Sequence, residues 1–171
     1  MTTSTELLSD AIERIRGVVH RTLAGLDDDQ LTFRIDPEAN TIAWLVWHLT
    51  RVQDDHVADV AGTDQVWTTG GWHERFALPF EASATGYGQS ATDVGGVRGV
   101  AAEDLGAYHD AVADQTLHYL GTLGESDLDR VVDMSWNPPV TLAVRLVSVI
   151  SDDLQHAGQA SFVRGVLTRR A

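Results

Sequence analysis

The sequence predicts an all-α protein, a four-helix bundle. Three observations carry this. Four long segments space their apolar residues three and four apart, the helical period. No stretch of the chain is rich in strand signals. Residues 62–100 separate the second segment from the third, a connection long enough to cross a bundle, so simple up-down-up-down order need not hold.

The first helix is expected over about 4–25. Thr3-Ser4-Thr5-Glu6 resembles a capping box, and Leu8, Ile12, Ile15, Val19 and Leu23 form one stripe. Asp27–Asp29 reads as a solvated loop that leads past Pro37 to Asn40 and Thr41, polar residues suited to opening a helix. The second helix, 41–61, carries Ile42, Leu45, Leu49, Val52 and Val60 and stops before Gly62. The Gly-rich connection that follows has no clear period. Trp67, Trp72, Phe76, Phe80 and Tyr87 are the side chains expected to pin it to the body of the protein. The third helix, 102–123, sets Leu105, Tyr108, Val112, Tyr119 and Leu123 on one side. Residues 135–141, "SWNPPVT", turn the chain into the fourth, 141–167.

The 171 residues read as one domain, 1–171, large enough to bury a substantial core. There are 12 basic residues, all arginine, against 25 acidic ones, a formal net charge of −13. Such a field repels phosphate backbones and anionic lipid, so neither nucleic acid nor membrane is expected as a partner. No apolar run approaches a membrane span, the N-terminus lacks signal-peptide character, and a cytoplasmic location is expected. With no cysteine, disulfides, thiolate metal sites and a cysteine nucleophile are excluded. Any reactive sulfur must arrive on a ligand.

The polar interruption of the fourth helix, "SVISDDLQHAGQASFVRG", carries the chemistry. Asp152 and His156 stand one turn apart on one face, on a stripe with Arg145, Val149, Gln159 and Val163. Asp153 and His156 are also neighbours, on a stripe with Leu142, Leu146 and Ala160. Either pair could chelate one ion, and Gly158 would permit close approach of a helix or ligand. In the second helix His48 shares a face with Trp44, Leu45, Val52 and Asp55, the side that would look into a bundle. Two imidazoles and one carboxylate leave a coordination position open, as in catalytic sites. The bland alternative is a hydrogen-bonded core histidine and a structural ion pair. His73, His109 and His118 read as solvated, and His56, about 80° round the helix from His48, as a poor co-ligand.

The segments "TIAWLVWHLTRVQDDH" and "DDLQHAGQASFVRG" resemble the DinB-like superfamily, in particular its actinobacterial mycothiol-dependent S-transferase and maleylpyruvate isomerase branch. The resemblance spans nearly the whole chain. It implies a bundle of up-down-down-up topology and a divalent metal, zinc first with nickel, iron or manganese as alternatives. The implied ligands are His48, Asp152 and His156. Many members have histidine at the position of Asp152 and the isomerase type has glutamate, so the shorter aspartate is a departure. Asp153 is the alternative ligand.

The activity implied is transfer of a low-molecular-weight thiol such as mycothiol to a small electrophile, in detoxification or catabolism. Arg145 and Gln159 are the candidates for holding thiol or substrate, and Trp44 and Trp72 for lining the pocket. Other readings are a non-catalytic metal or small-molecule binding protein, a metal-dependent hydrolase, and a helical interaction module, with a homodimer as one assembly left open.

Overall fold

The computed structural model describes residues 1–170 and shows the expected all-α fold. The chain runs α1 (Ser4–Leu23), α2 (Asp28–Leu31), α3 (Ile42–Ala61), α4 (Val66–Thr69), α5 (Trp72–Phe76), α6 (Ala91–Val94) and α7 (Ala102–Thr122). A 3₁₀ turn (Glu125–Asp129), a ribbon of β1 (Val131–Asp133) and β2 (Val140–Thr141), and α8 (Leu142–Arg170) complete it. The ribbon is antiparallel, pairing Val131 with Thr141 and Asp133 with Val140. The long helices are α1, α3, α7 and α8. Of these, α1 and α3 each pack against both α7 and α8. No helix is long and apolar enough to cross a membrane among the described residues.

Local chemistry sets the helix ends. Thr3 accepts the Glu6 N–H while Glu6 accepts the Thr3 N–H, the expected capping box. Thr41 caps α3 by accepting the Trp44 N–H, and Gly62 ends it in the left-handed conformation. Asp27–Asp29 is solvent-exposed, as expected, but it is not a loop. Asp27 and Gln30 form a second capping box that starts α2, and Asp28 accepts the Gly99 N–H.

The expected one-sided stripe on α3 understates its burial. Every residue from Thr41 to Asp54 is buried, because the 62–100 connection lies along the face that the bundle leaves open. A ladder of bonds fixes it there. Trp44 Nε1 donates to Gln89, and the His48 ring meets the Thr85 carbonyl. Arg51 donates to the carbonyls of Ala82 and Ala84 and to the side chain of Gln65. Asp54 accepts the N–H groups of Val66 and Trp67 and the Tyr108 hydroxyl. The connection's aromatics serve as anticipated: Trp67 and Phe76 are buried against Tyr108, and Trp72 packs on Phe76 and Tyr108 beneath Arg75. Tyr87 is the exception, 65% exposed.

Two other expectations are corrected. Gly158 approaches nothing; it is exposed, with open space where a Cβ would stand. His109 is not solvated but wholly buried between α7 and α3. The Thr50 hydroxyl gives its proton to the Val46 carbonyl, so His109 Nδ1–H donates to Thr50 Oγ1 at 3.2 Å and the ring is neutral. Burial lowers its pKa from 6.5 to about 4. The charged form is thus disfavoured in the fold, and an unfolded chain takes the proton first as pH falls. Stability from neutral His109 is complete above 6.5 and is lost between 6.5 and about 4, an effect of about 3 kcal/mol. Denaturant unfolding across this window should show a steeper acid loss in the native chain than in His109→Gln; equal slopes would contradict the assignment.

Candidate metal centre

Three donor side chains meet where α3 packs on α8. His48 comes from the buried stretch of α3, and Asp152 and His156 from successive turns of α8. One potential ligand atom of each lies within 4.8 Å of the other two. The imidazole rings of His48 and His156 stand 4.7 Å apart, tilted by 60°. His48 is 3% exposed, whereas the Asp152 and His156 side chains keep 23% and 19% of their surface.

Hydrogen bonds decide which ring atoms are free. His48 Nδ1 lies 2.5 Å from the Thr85 carbonyl oxygen, and His156 Nδ1 lies 2.9 Å from that of Asp152. A carbonyl only accepts, so both rings carry hydrogen on Nδ1, which makes Nε2 the nitrogen through which the neutral ring would ligate. Desolvation holds the His48 pKa below its ordinary value, with the neighbouring His156 adding to the effect, so the ring is neutral near pH 7, as a ligand must be. Asp152 Oδ2 is buried and has no hydrogen-bond partner. The His156 Nδ1 lies 3.6 Å from the same Asp152 Oδ2, and two imidazole nitrogens with one carboxylate oxygen fit a divalent cation such as zinc and leave coordination positions open.

A sequence model described as mycothiol S-transferase matches residues 7–169. The chain belongs to the mycothiol S-transferase family. Membership implies a thiol cosubstrate. Among solved structures, the crystal structure of a conserved protein from Enterococcus faecalis is similar, with a TM-score of 0.89 and 30% identity over 96% of each chain. No curated protein matches.

In this mycothiol S-transferase family member, Trp44 stacks on His48 with ring centroids 4.6 Å apart and planes 14° from parallel, and Tyr87 meets His48 edge-on at 5.4 Å. Asp153, the alternative ligand, is outside the three-donor group. It is fully buried, neither carboxylate oxygen has a hydrogen-bond partner, and desolvation, with the Asp152 charge second, pushes its pKa well above the ordinary carboxylate value. Arg145 is engaged elsewhere, donating to Asp133 Oδ2 and to His56 Nδ1, each at 3.0 Å. Gln159 is an exposed amide, and Trp72 belongs to the aromatic cluster that anchors the connection.

Sequence reasoning missed Thr85 and Gly86. The signal was "TGYG", whose glycines match no phosphate loop. Gly86 has φ +104°, and a Cβ there would stand 2.4 Å from His48 Nδ1. Only glycine lets this backbone lie against the ring. Gly86→Ala is therefore expected to weaken divalent-ion affinity about 10–100-fold by displacing the Thr85 carbonyl. Gly88→Ala is the control, since φ is +72° but its Cβ meets nothing within 4 Å. Competition titration against a chromogenic chelator measures both; equal affinities in the two variants would refute the role of Gly86.

Proposed function

We propose that this chain is a divalent-metal-dependent thiol S-transferase that joins mycothiol to a small electrophile. The observation that supports it most is the cluster of His48, Asp152 and His156, with one potential ligand atom of each within 4.8 Å of the other two and each imidazole Nδ1 turned to a backbone carbonyl. These residues would hold the ion. A divalent cation there supplies the positive charge that makes a thiolate accessible near neutral pH. The nucleophilic sulfur belongs to the cosubstrate, since the chain has no cysteine.

The protein's own residues bind, orient and exclude water. The Thr85 carbonyl fixes the His48 ring and Trp44 packs flat against it, so this donor has little freedom to turn. A cleft of about 430 Å³ opens beside Asp152 between α3 and α8, with Val52, Val149 and Tyr87 in its walls. An electrophile held there has its reacting carbon near the donor cluster, which replaces a chance encounter by a positioned one. In the reaction the thiol S–H bond is lost and a C–S bond forms; in a displacement the leaving group carries away the bonding pair and the proton passes to solvent. Such conjugation suits detoxification of reactive metabolites in the cytoplasm.

The test is conjugation of mycothiol to a panel of alkylating and unsaturated electrophiles, followed by mass spectrometry of the thioether. Activity should require added zinc, nickel, iron or manganese after chelation, and His156→Ala should lose about 100-fold or more. Conjugation indifferent both to chelation and to His156→Ala would overturn the proposal.

A further inference from the structure

His56 has a place in the cleft that neither the donor cluster nor the family assignment uses. It lies on α3 eight residues after His48, and its ring lines the cleft beside Asp152. Arg145 Nη1 stands 3.0 Å from His56 Nδ1. A guanidinium has hydrogens to give and no lone pair to offer, so Nδ1 must be the acceptor. The imidazole is then neutral and carries its hydrogen on Nε2. No described residue takes that hydrogen, and the ring edge that bears it belongs to a cleft-lining side chain. Burial, with the Arg145 charge second, also holds the ring below its ordinary pKa, against the opposing charges of Asp55, Asp59 and Asp152.

The same contact defines what the cleft can take. The second arm of Arg145 is bound to Asp133 Oδ2 at 3.0 Å, at the end of β1. Arg145 is itself absent from the cleft lining. The cleft therefore has an aspartate in its wall and, among the described residues, no arginine. The rest of the wall is neutral: Val52, Val144, Val147 and Val149 supply apolar surface, and the exposed positions of α8 around them are Ser148, Ser151 and Gln155. A carboxylate substrate would find no arginine in this wall to pair with and would approach against a net charge of −13. An uncharged oxygen would meet a donor.

We propose that His56 donates its Nε2–H to the carbonyl oxygen of an uncharged, apolar, α,β-unsaturated electrophile bound in this cleft, with Arg145 and Asp133 as positioning residues that fix the tautomer. This rests on the thiol-transfer reading above. As sulfur forms its bond to the β-carbon, the C=C π pair shifts and negative charge grows on the carbonyl oxygen. The hydrogen bond from His56 strengthens as that charge grows, which lowers the barrier. The proton lost by the thiol ends on the α-carbon through solvent, so no electron is gained or lost overall and His56 keeps its own hydrogen.

The experiment uses zinc-loaded protein with imidazole-15N histidine, and assigns His56 by its absence from the His56→Gln spectrum. Long-range 1H–15N correlations should show His56 neutral with hydrogen on Nε2. Cyclohex-2-enone, without thiol, should shift that nitrogen, and cyclohex-1-enecarboxylate should not. With mycothiol, His56→Leu should lose about 10–100-fold in kcat/KM for the enone, at unchanged metal content and unchanged KM for the thiol. His56→Gln, which keeps an amide N–H, should recover part of the loss. Hydrogen on Nδ1, a nitrogen indifferent to the enone, or equal use of the carboxylate would each overturn the proposal. A shifted Nε2 with no thioether formed would support His56 as the donor and refute transferase function instead.

Discussion

Arg51 and Asp54, one turn apart on α3 and 3.5 Å from contact to contact, are almost wholly removed from solvent, and the rest of the molecule is arranged to make that tolerable. Burying a guanidinium and a carboxylate costs several kcal/mol for each ion, and their mutual attraction offsets this only when their remaining hydrogen-bonding capacity is met. Arg51 finds the carbonyls of Ala82 and Ala84, the Gln65 amide and the Tyr108 hydroxyl. Asp54 finds the N–H groups of Val66 and Trp67 and the same hydroxyl. Burial still pushes the Asp54 carboxyl above its ordinary pKa, against the opposing effect of these bonds. Apart from Tyr108, every partner lies in the connection between α3 and α7. A connection that strayed from α3 would leave this ion pair without most of its hydrogen-bond partners.

That condition reaches the donor cluster through the chain itself. With Ala82 and Ala84 tied to Arg51, Thr85 and Gly86 follow directly, and the Thr85 carbonyl arrives at His48 Nδ1. The bond fixes the tautomer that leaves Nε2 free. Three residues on, the Gln89 side chain accepts from Trp44, whose indole is stacked on the same imidazole. The long connection thus acts as the outer support of one side chain of the donor cluster, and the α8 helix supplies the other two donors at a spacing that its own geometry sets. The His56–Arg145–Asp133 chain repeats the device on the other side of Asp152, using the β1 strand as support.

How much of this was legible follows from the length scale of each signal. The four long helices were readable to within a few residues because twenty-residue periodic patterns and caps such as Thr3, Thr41 and Gly62 are local information. That His48 could meet a carboxylate and His156 was readable because Trp44 and Leu45 mark the inward face and helical spacing puts both Asp152 and Asp153 beside His156; the preference for Asp152 came from the resemblance to the DinB-like superfamily. The short helices were not, since four or five residues show no period; capping boxes at Asp27 and Ser90 start α2 and α6, and α4 and α5 have no side-chain cap at all. Nor was the burial of Arg51, Asp54 and His109. Each depends on a partner that the fold alone brings near: Ala82 and Ala84 for Arg51, Val66 and Trp67 for Asp54, Thr50 for His109. The β1–β2 ribbon, whose strands flank residues 134–139, was hidden for the same reason, two short strands without alternation to announce them.

The central claim is that one divalent ion is held by two imidazoles and one carboxylate. X-ray absorption spectroscopy of zinc-loaded protein, at one equivalent per chain, tests it most directly. The account predicts a first shell of nitrogen and oxygen with the multiple-scattering signature of two histidines, falling to one in His156→Ala. An unstructured oxygen shell, or a two-histidine signature that survives that substitution, would contradict it.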